Sequence, residues 1–192
     1  MLLMLVNRSN PLQSEKRLRA YSRVFEETQG AVVAYRTDTA GFDAWARGAL
    51  AWAIGALPST RRLDPVGQHG FSTDPEDLSP HLLVGDMLRF VRSKHMRRNW
   101  FAGAEPFLCF CTVCSGAEID RLFGSSQDRV VGHLHNVVEL GRLARSMGQL
   151  PGRRALWRNQ VGGALDTYPQ LSTHIGANLA IPTDLEVWSA TA

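Results

Sequence analysis

The stretch from Ala31 to Gly55 reads AVVAYRTDTAGFDAWARGALAWAIG, and it decides the fold class. It opens with an apolar run at 31–35 and closes with another at 51–55, and both runs are typical of strands buried in a parallel sheet. Residues 40–50 between them carry apolar side chains at helical spacing. Parallel strands need a crossover connection, which is usually a helix. The stretch therefore predicts a βαβ unit and an α/β fold.

The neighbouring segments add further elements. Helical spacing predicts a helix over Leu12–Thr28, and the Pro- and Gly-rich stretch 57–80 predicts a long irregular loop. Beyond the loop, apolar periodicity predicts helices over Leu82–Trp100, Ala117–Phe123 and Asp128–Met147, and another that begins at Pro151. The pattern fades after Thr167, which predicts a loosely packed tail.

Length and composition are those of a folded globular chain. The 192 residues, 44% apolar and 20% charged, are enough for one domain and exclude the disordered and fibrous classes. The apolar opening Met1–Val6 is too short for a signal peptide or a membrane span, so we expect a cytoplasmic protein with no membrane partner.

The three cysteines of the chain lie within six residues, at Cys109, Cys111 and Cys114. This C-x-C-x-x-C spacing lets three thiolates converge on one ion, and zinc prefers such sulfur-rich tetrahedral sites. A histidine is the natural fourth ligand, and His135 lies 21 residues beyond Cys114 on a predicted helix. His133 points to another face of that helix, so we expect only one of the two to bind.

Four protein ligands would fill the coordination sphere of zinc, which predicts a structural Zn²⁺ ion that ties the cysteine loop to the helix. Two alternatives remain open at this stage. The cysteines can be inert core residues, because free cysteine packs like a small apolar side chain. A redox or iron–sulfur role is the other alternative, although the ligand set matches zinc better.

A basic cluster precedes the cysteines, and four of its members are candidate nucleic-acid contacts: Arg92, Lys94, Arg97 and Arg98. The alternative is a solvated helix face, which is the commoner use of such a run. Trp100 and Phe101 follow directly and can stack on bases, or they can pack beneath the cysteine loop.

Asp38 is the one weak catalytic candidate. It follows the first strand of the βαβ unit, where α/β enzymes place nucleophiles and bases. The alternative is that Thr37 or Asp38 caps the next helix. The sequence contains no recognised phosphate-binding glycine loop and no serine nucleophile elbow.

The order of these features resembles the C-terminal part of the tRNA-guanine transglycosylase family. The resemblance runs from about Val32 to Val138 and depends on C-x-C-x-x-C followed by Leu134-His135-Asn136. It implies the last βα units of a partial TIM (β/α) barrel at 1–100 and a zinc-binding helical subdomain at 101–166, followed by the tail at 167–192. It also implies that Cys109, Cys111, Cys114 and His135 bind the zinc ion.

The resemblance implies exchange of guanine for a 7-deazaguanine base in nucleic acid, with tRNA or DNA as the polymer. The strand expected to deliver the nucleophilic aspartate reads WAIGAL at 52–57 and contains no carboxylate. We therefore expect a second chain that completes the barrel, or a homo-oligomer. The alternatives are a non-catalytic nucleic-acid-binding or partner subunit, and a zinc-stabilised interaction domain without a nucleic-acid role.

Overall fold

The computed structural model describes residues 1–5, 11–12, 14–28, 31–61, 77–148 and 152–191. These residues form a mixed α/β protein. The strands are β1 (Leu2–Met4), β2 (Val33–Tyr35), β3 (Ala51–Ala53), β4 (His81–Val84), β5 (Arg89–Arg92), β6 (Leu108–Cys109) and β7 (Ala117–Glu118). The helices are α1 (Glu15–Glu27), α2 (Ala40–Ala46), α3 (Pro58–Arg61), α4 (Ser93–His95), α5 (Ser126–Ser146), α6 (Arg153–Ile175) and α7 (Thr183–Thr191).

The first three strands form a parallel sheet in the order β1-β2-β3. Leu2 pairs with Val33, and Val33 pairs in turn with Ala51. The predicted βαβ unit is confirmed, with α2 as its crossover, and β1 with α1 adds a second unit that the sequence did not indicate. The three paired strands do not by themselves form a closed or partial barrel, so the barrel stays a prediction.

The segment predicted as one helix over Leu82–Trp100 is not a single helix. β4 and β5 form an antiparallel hairpin across it, in which Leu83 pairs with Phe90. Leu88 reverses the chain between them with a φ of 51°. Apolar residues at 82, 83, 87, 88 and 91 fit a helix and a tight hairpin alike, and pairing across the turn decides the outcome. The helical parts of the segment are a 3₁₀ turn at Gly85–Met87 between the two strands, α4, and a π-helical turn at Met96–Trp100.

The cysteine loop connects β6 to β7, which pair antiparallel through Cys109 and Ala117. The short helix predicted over Ala117–Phe123 is therefore wrong. The long helix predicted over Asp128–Met147 is confirmed as α5. The predicted loop contains the one-turn helix α3, and its residues 62–76, like Pro151, lie outside the described residues.

The predicted loose tail at 167–192 is helical over most of its described length. α6 continues to Ile175, and α7 follows at Thr183–Thr191. Trp188 of α7 is fully buried and lies 5.5 Å, between ring centroids, from Trp157 of α6. Apolar residues too sparse for a periodic pattern still anchor this segment, because two tryptophans bury a large area.

Contacts divide the chain into two compact units. One comprises Met1–Gly70, Ser146–Leu165 and Ile181–Ala192, with a core that includes Leu18, Phe25, Phe42, Trp157 and Trp188. The other comprises Phe71–Arg145 and Asp166–Ala180, with a core that includes Leu82, Leu83, Met87, Met96 and Leu143. Both units are discontinuous in sequence, whereas the predicted division was continuous. Among the described helices, none has the length and apolar character to cross a membrane.

Candidate metal centre

The β6–β7 loop presents three thiols from one tight turn. Cys109 ends β6, and the Ser115 and Gly116 amides donate to the carbonyl oxygens of Cys111 (2.8 Å) and Cys109 (2.9 Å). Ser115 and Gly116 both have positive φ, 52° and 85°, which turns the chain back toward β7. The turn brings the Cys109, Cys111 and Cys114 side chains to one side of the loop.

His135 of α5 completes the cluster. Its Nδ1 atom lies 3.6 Å from the Cys109 Sγ atom and 3.5 Å from the Sγ atoms of Cys111 and Cys114. All four candidate ligand atoms lie within 4.8 Å of one another. The structure therefore brings together the four residues expected from the sequence as a possible metal site.

The other ring nitrogen of His135 fixes its tautomer. Nε2 lies 3.0 Å from the Leu83 carbonyl oxygen, which can only accept, so Nε2 carries the proton. The lone pair of Nδ1 then faces the three sulfur atoms, as a metal ligand requires. The ring is almost fully buried, so this orientation is held by packing as well.

Asn136, the next residue, holds α5 against β4. Its Oδ1 atom accepts from the Leu83 amide at 2.7 Å, and its Nδ2 atom donates to the His81 carbonyl oxygen at 2.7 Å. The His-Asn pair therefore binds both the backbone of β4 and the cysteine loop. Sequence reasoning gave this pair only as part of a family motif and did not find its partner strand, because β4 was predicted to be helical.

The start of α5 carries a signal that the sequence reasoning missed. Ser125 and Asp128 form a reciprocal capping box, in which the Asp128 amide donates to Ser125 Oγ (3.0 Å) and the Ser125 amide donates to Asp128 Oδ2 (3.1 Å). The spacing Ser-x-x-Asp before an apolar run is the sequence signal for such a box. It fixes the first turn of the helix that carries His135.

Burial favours the neutral forms of the ligands when no cation is present. Desolvation raises the pKa of the Cys109 thiol to about 12 and raises that of Cys114, where a hydrogen bond from Arg121 opposes it. Desolvation also lowers the pKa of His135, which keeps the imidazole neutral. A divalent ion would supply the positive charge that stabilises buried thiolates, so metal binding would release protons.

His133 does not join the cluster. It lies two positions before His135 on α5, is half-buried, and is absent from the candidate metal-binding group found among the described residues. The expectation that only one of the two histidines faces the cysteines is confirmed.

A cavity of about 340 Å³ borders the metal cluster, and an ion pair on α5 lines it. Arg142 Nε donates to Glu139 Oε2 at 2.9 Å, and Arg142 Nη2 lies 3.3 Å from Asp86 Oδ1. Gly85 leaves room for this pair, since a Cβ atom there would lie 2.3 Å from Arg142 Nη2.

No family model matches the chain, and neither the curated proteins nor the solved structures contain a significant match. The transglycosylase resemblance thus remains a prediction from sequence motifs. The convergence of the four candidate metal ligands is seen in the structure and does not depend on that resemblance.

The four predicted nucleic-acid contacts differ in their surroundings. Arg92 donates to the Asp77 carbonyl oxygen at 2.7 Å, and Arg97 lies 3.6 Å from carboxylate oxygens of both Glu118 and Asp120. Lys94 is half-buried, whereas Arg98 is exposed. Carboxylates therefore neutralise part of the basic cluster, and its two exposed predicted contacts are Arg97 and Arg98.

Trp100 and Phe101 are buried, with 5% and 7% of their surface exposed. Phe101 packs edge-on against Phe107, just before the cysteine loop, with ring centroids 5.3 Å apart. The packing interpretation is confirmed, and neither ring offers a free face for stacking on bases.

Asp38 follows the carboxyl end of β2, as predicted, and has a φ of 55°. Its Oδ1 atom accepts from the Thr39 amide at 3.0 Å, at the start of α2. Arg36, two residues earlier, also has a positive φ, 56°. Two left-handed residues so close together store backbone strain at the sheet edge where α/β proteins place their functional groups.

Proposed function

We propose that this chain is a tRNA-guanine transglycosylase-like protein with a structural zinc ion. It serves guanine exchange in nucleic acid together with a partner chain that supplies the catalytic carboxylate. The observation that carries the proposal is the convergence of the Cys109, Cys111 and Cys114 sulfur atoms on Nδ1 of His135.

The spacing of these atoms fits zinc. With Zn–S bonds of about 2.3 Å and a Zn–N bond of about 2.0–2.1 Å, the sulfur–nitrogen edge of a tetrahedron is about 3.5–3.6 Å. The Nδ1–Sγ distances of 3.5–3.6 Å match this edge. Zinc bound by four protein ligands leaves no position for substrate, so the ion would join the β6–β7 loop to α5 rather than take part in chemistry.

The need for a partner follows from the missing carboxylate. Residues 52–57, in and after β3, contain no acidic side chain. Asp38 is the candidate at the neighbouring strand end, but its Oδ1 atom already accepts from the Thr39 amide. A carboxylate supplied by another chain would restore the nucleophile that the resemblance implies.

The test is incorporation of labelled guanine into tRNA and into DNA. We expect no incorporation by the purified chain alone, and faster incorporation by a full-length transglycosylase from the same genome when this chain is added than by that transglycosylase alone. Incorporation by the chain alone that is lost in Asp38→Asn would contradict the partner requirement. Absence of incorporation from every mixture would contradict base exchange.

A second candidate function is nucleic-acid binding without chemistry, which the exposed Arg98 favours. Affinity for tRNA and for duplex DNA should then fall steeply as salt rises, because phosphate contacts release counterions. Arg98→Ala should reduce the slope of log affinity against log salt by about 1. Arg19→Ala is the matched control, since Arg19 is a half-exposed arginine on α1. A flat salt response would exclude a nucleic-acid role and leave an interaction domain.

A further inference from the structure

The cavity beside the candidate metal centre is lined by apolar and by charged side chains. Its volume of about 340 Å³ equals that of roughly ten molecules of liquid water, so it can hold a small organic group. Its apolar lining comes from β4 and from the segments around β6 and β7: Leu83, Val84, Phe107, Leu108, Phe110 and Ile119. Its charged lining consists of Asp86, Glu139 and Arg142. A ligand that fits this lining combines an apolar stem with a polar head.

The charged lining has an excess of negative charge, because two carboxylates accompany one guanidinium. Arg142 Nε donates to Glu139 Oε2 at 2.9 Å, and Arg142 Nη2 lies 3.3 Å from Asp86 Oδ1. An incoming anion would therefore have to compete with both carboxylates for Arg142. The excess exists with or without a metal ion, and a zinc ion bound by three thiolates would add one further negative charge. The cavity therefore favours a cationic head.

The two carboxylates differ in exposure, which gives the cavity an accessible and a protected acceptor. The Asp86 side chain is 81% exposed, whereas Glu139 is 7% exposed. Water and salt screen a buried charge less than an exposed one, so Glu139 attracts a nearby cation more strongly than a surface carboxylate would. A cation can thus meet Asp86 first and reach Glu139 from within the cavity.

Phe110 supplies an exposed aromatic ring to the same cavity. It lies in the cysteine loop between Cys109 and Cys111 and is 79% exposed. The ring lies against Gly116, where a Cβ atom would be 3.5 Å from a Phe110 ring carbon. The face of an aromatic ring attracts cations electrostatically. The cysteine loop therefore offers a cation a second attractive surface beside the carboxylates.

Among organic cations, a guanidinium fits this lining better than an ammonium. A guanidinium is more weakly hydrated, so its entry into a partly apolar cavity costs less free energy. Its planar fork can donate two hydrogen bonds to one carboxylate, and its flat face can stack on an aromatic ring. We propose that this cavity binds an alkylguanidinium group, with its head at Asp86 and Glu139 and its stem against the apolar lining. Such a group is the side chain of an arginine in a partner protein or a free guanidino compound.

The test is calorimetric titration of the purified full chain with n-butylguanidinium, whose carbon chain matches the stem of an arginine side chain. We expect a dissociation constant on the order of 1 mM, because so small a ligand makes few contacts. n-Butylammonium should bind at least roughly threefold more weakly. Pentanoate, which has a similar stem and the opposite charge, should not bind. The amide NMR signals of Gly85 and Phe110 should shift during the titration, which locates the ligand in the cavity.

Two variants test the carboxylate and the ring separately. Asp86→Asn should weaken the binding of n-butylguanidinium roughly fivefold or more, because it removes the excess negative charge. Asp166→Asn, the same change at an exposed position of α6, is the matched control and should leave binding unchanged. Phe110→Leu should weaken binding roughly threefold, because leucine is apolar but has no ring to attract a cation. Circular dichroism shows whether each variant is folded.

One further ligand separates the two sources of the guanidinium. Nα-acetyl-arginine amide carries the same head on a blocked peptide unit. Binding at least as tight as that of n-butylguanidinium would assign the cavity to an arginine side chain of a partner protein. Weaker binding would assign it to a free guanidino compound, because the peptide unit then obstructs entry.

Three results would overturn the proposal. They are no binding of n-butylguanidinium at concentrations on the order of 10 mM, pentanoate that binds as tightly, and Asp86→Asn that binds as tightly as the unchanged protein. Failure of base exchange would not affect the result, because these titrations contain no nucleic acid.

Discussion

At the level of single residues, His135 and His133 form a matched pair two positions apart on α5. His135 directs Nδ1 at three sulfur atoms, whereas His133 stands outside the cluster. We expect His135→Ala to reduce bound zinc from about one ion per chain to a trace. Loss of a hydrogen bond that supports a ligand typically lowers metal affinity roughly 10–100-fold, and loss of the ligand itself should lower it further. Metal analysis after dialysis against a weak chelator measures this.

His133→Ala is the control and should keep full zinc content. The two variants have the same change in volume and helix propensity, but only His135→Ala leaves a buried cavity, so urea unfolding of both variants separates a loss of stability from the loss of a ligand. Equal zinc content in the two variants would remove His135 from the ligand set. If only His133→Ala lost zinc, the fourth ligand would be His133 and not His135.

The cluster of four candidate ligands was predictable because three of them are local. Cysteines spaced as C-x-C-x-x-C share one turn, and a long helix downstream supplied the histidine. The acceptor of His135, the Leu83 carbonyl oxygen, was not predictable. It lies 52 residues away on a strand whose apolar pattern also fits a helix, and a backbone carbonyl leaves no mark in a sequence.

At the level of elements, the Ser125–Asp128 box stabilises α5 in a way that depends on pH. Desolvation would raise the pKa of Asp128, but hydrogen bonds from Ser125, Phe123 and Gly124 outweigh it and hold the pKa below its ordinary value. A carboxyl with a lowered folded-state pKa stabilises the protein above the unfolded-state pKa, and this contribution is lost as pH falls through the folded-state value.

We therefore expect Asp128→Asn to lower the free energy of unfolding by about 1 kcal/mol at neutral pH. The difference from the unchanged protein should begin to shrink as pH falls below about 4, the ordinary pKa of aspartate, and should disappear once pH falls below the lower folded-state pKa. Urea unfolding at a series of pH values measures it. A difference that stays constant down to pH 2 would show that the charge of Asp128 does not stabilise the helix.

Two glycines in long helices have opposite surroundings. A Cβ atom on Gly132 of α5 would lie 2.6 Å from the Pro80 Cβ atom, whereas a Cβ atom on Gly162 of α6 would have nothing within 4 Å. We expect Gly132→Ala to destabilise the protein by about 1–3 kcal/mol through overpacking. Gly162→Ala should stabilise it by up to about 1 kcal/mol through helix propensity. Thermal unfolding of both variants should therefore shift in opposite directions.

The elements themselves were predictable to different degrees. α5 is long and strongly periodic, and its prediction held. The stretch from 82 to 91 failed because a hairpin pairs residues such as Leu83 and Phe90 across a turn at Leu88. The connection begins with Gly85 and Asp86, a turn signal that the apolar pattern outweighed, and it ends at Leu88 in a left-handed conformation that bulky residues rarely take. Pairing across the turn decided this segment, and periodicity alone cannot supply that information.

At the level of the whole molecule, distant segments complete each unit. β1 pairs with β2 from about thirty residues away, and three residues at a chain end are too few to show a period. α7 joins the same unit as the parallel sheet through Trp188. The sequence predicted the βαβ centre from local patterns, whereas these additions depend on packing between remote segments.

A buried polar network joins three helices of this unit. Asp43 on α2 is fully buried and accepts hydrogen bonds from Ser22 (2.7 Å), Arg47 (2.9 Å) and Trp157 (3.2 Å). Removing one member of a buried ion pair typically costs about 3–5 kcal/mol, so Asp43→Ala should lose a large share of the total stability. Asp166→Ala, at an exposed position of α6, should lose almost nothing.

Because the four candidate metal ligands belong to the other unit, we expect Asp43→Ala to bind as much zinc as the unchanged protein wherever the chain is still folded. Urea unfolding in excess zinc, followed by metal analysis of the folded fraction, measures both effects. A folded Asp43→Ala protein without zinc would show that the metal site depends on the packing of the sheet unit. An unfolding free energy equal to that of Asp166→Ala would mean that the network contributes nothing to stability.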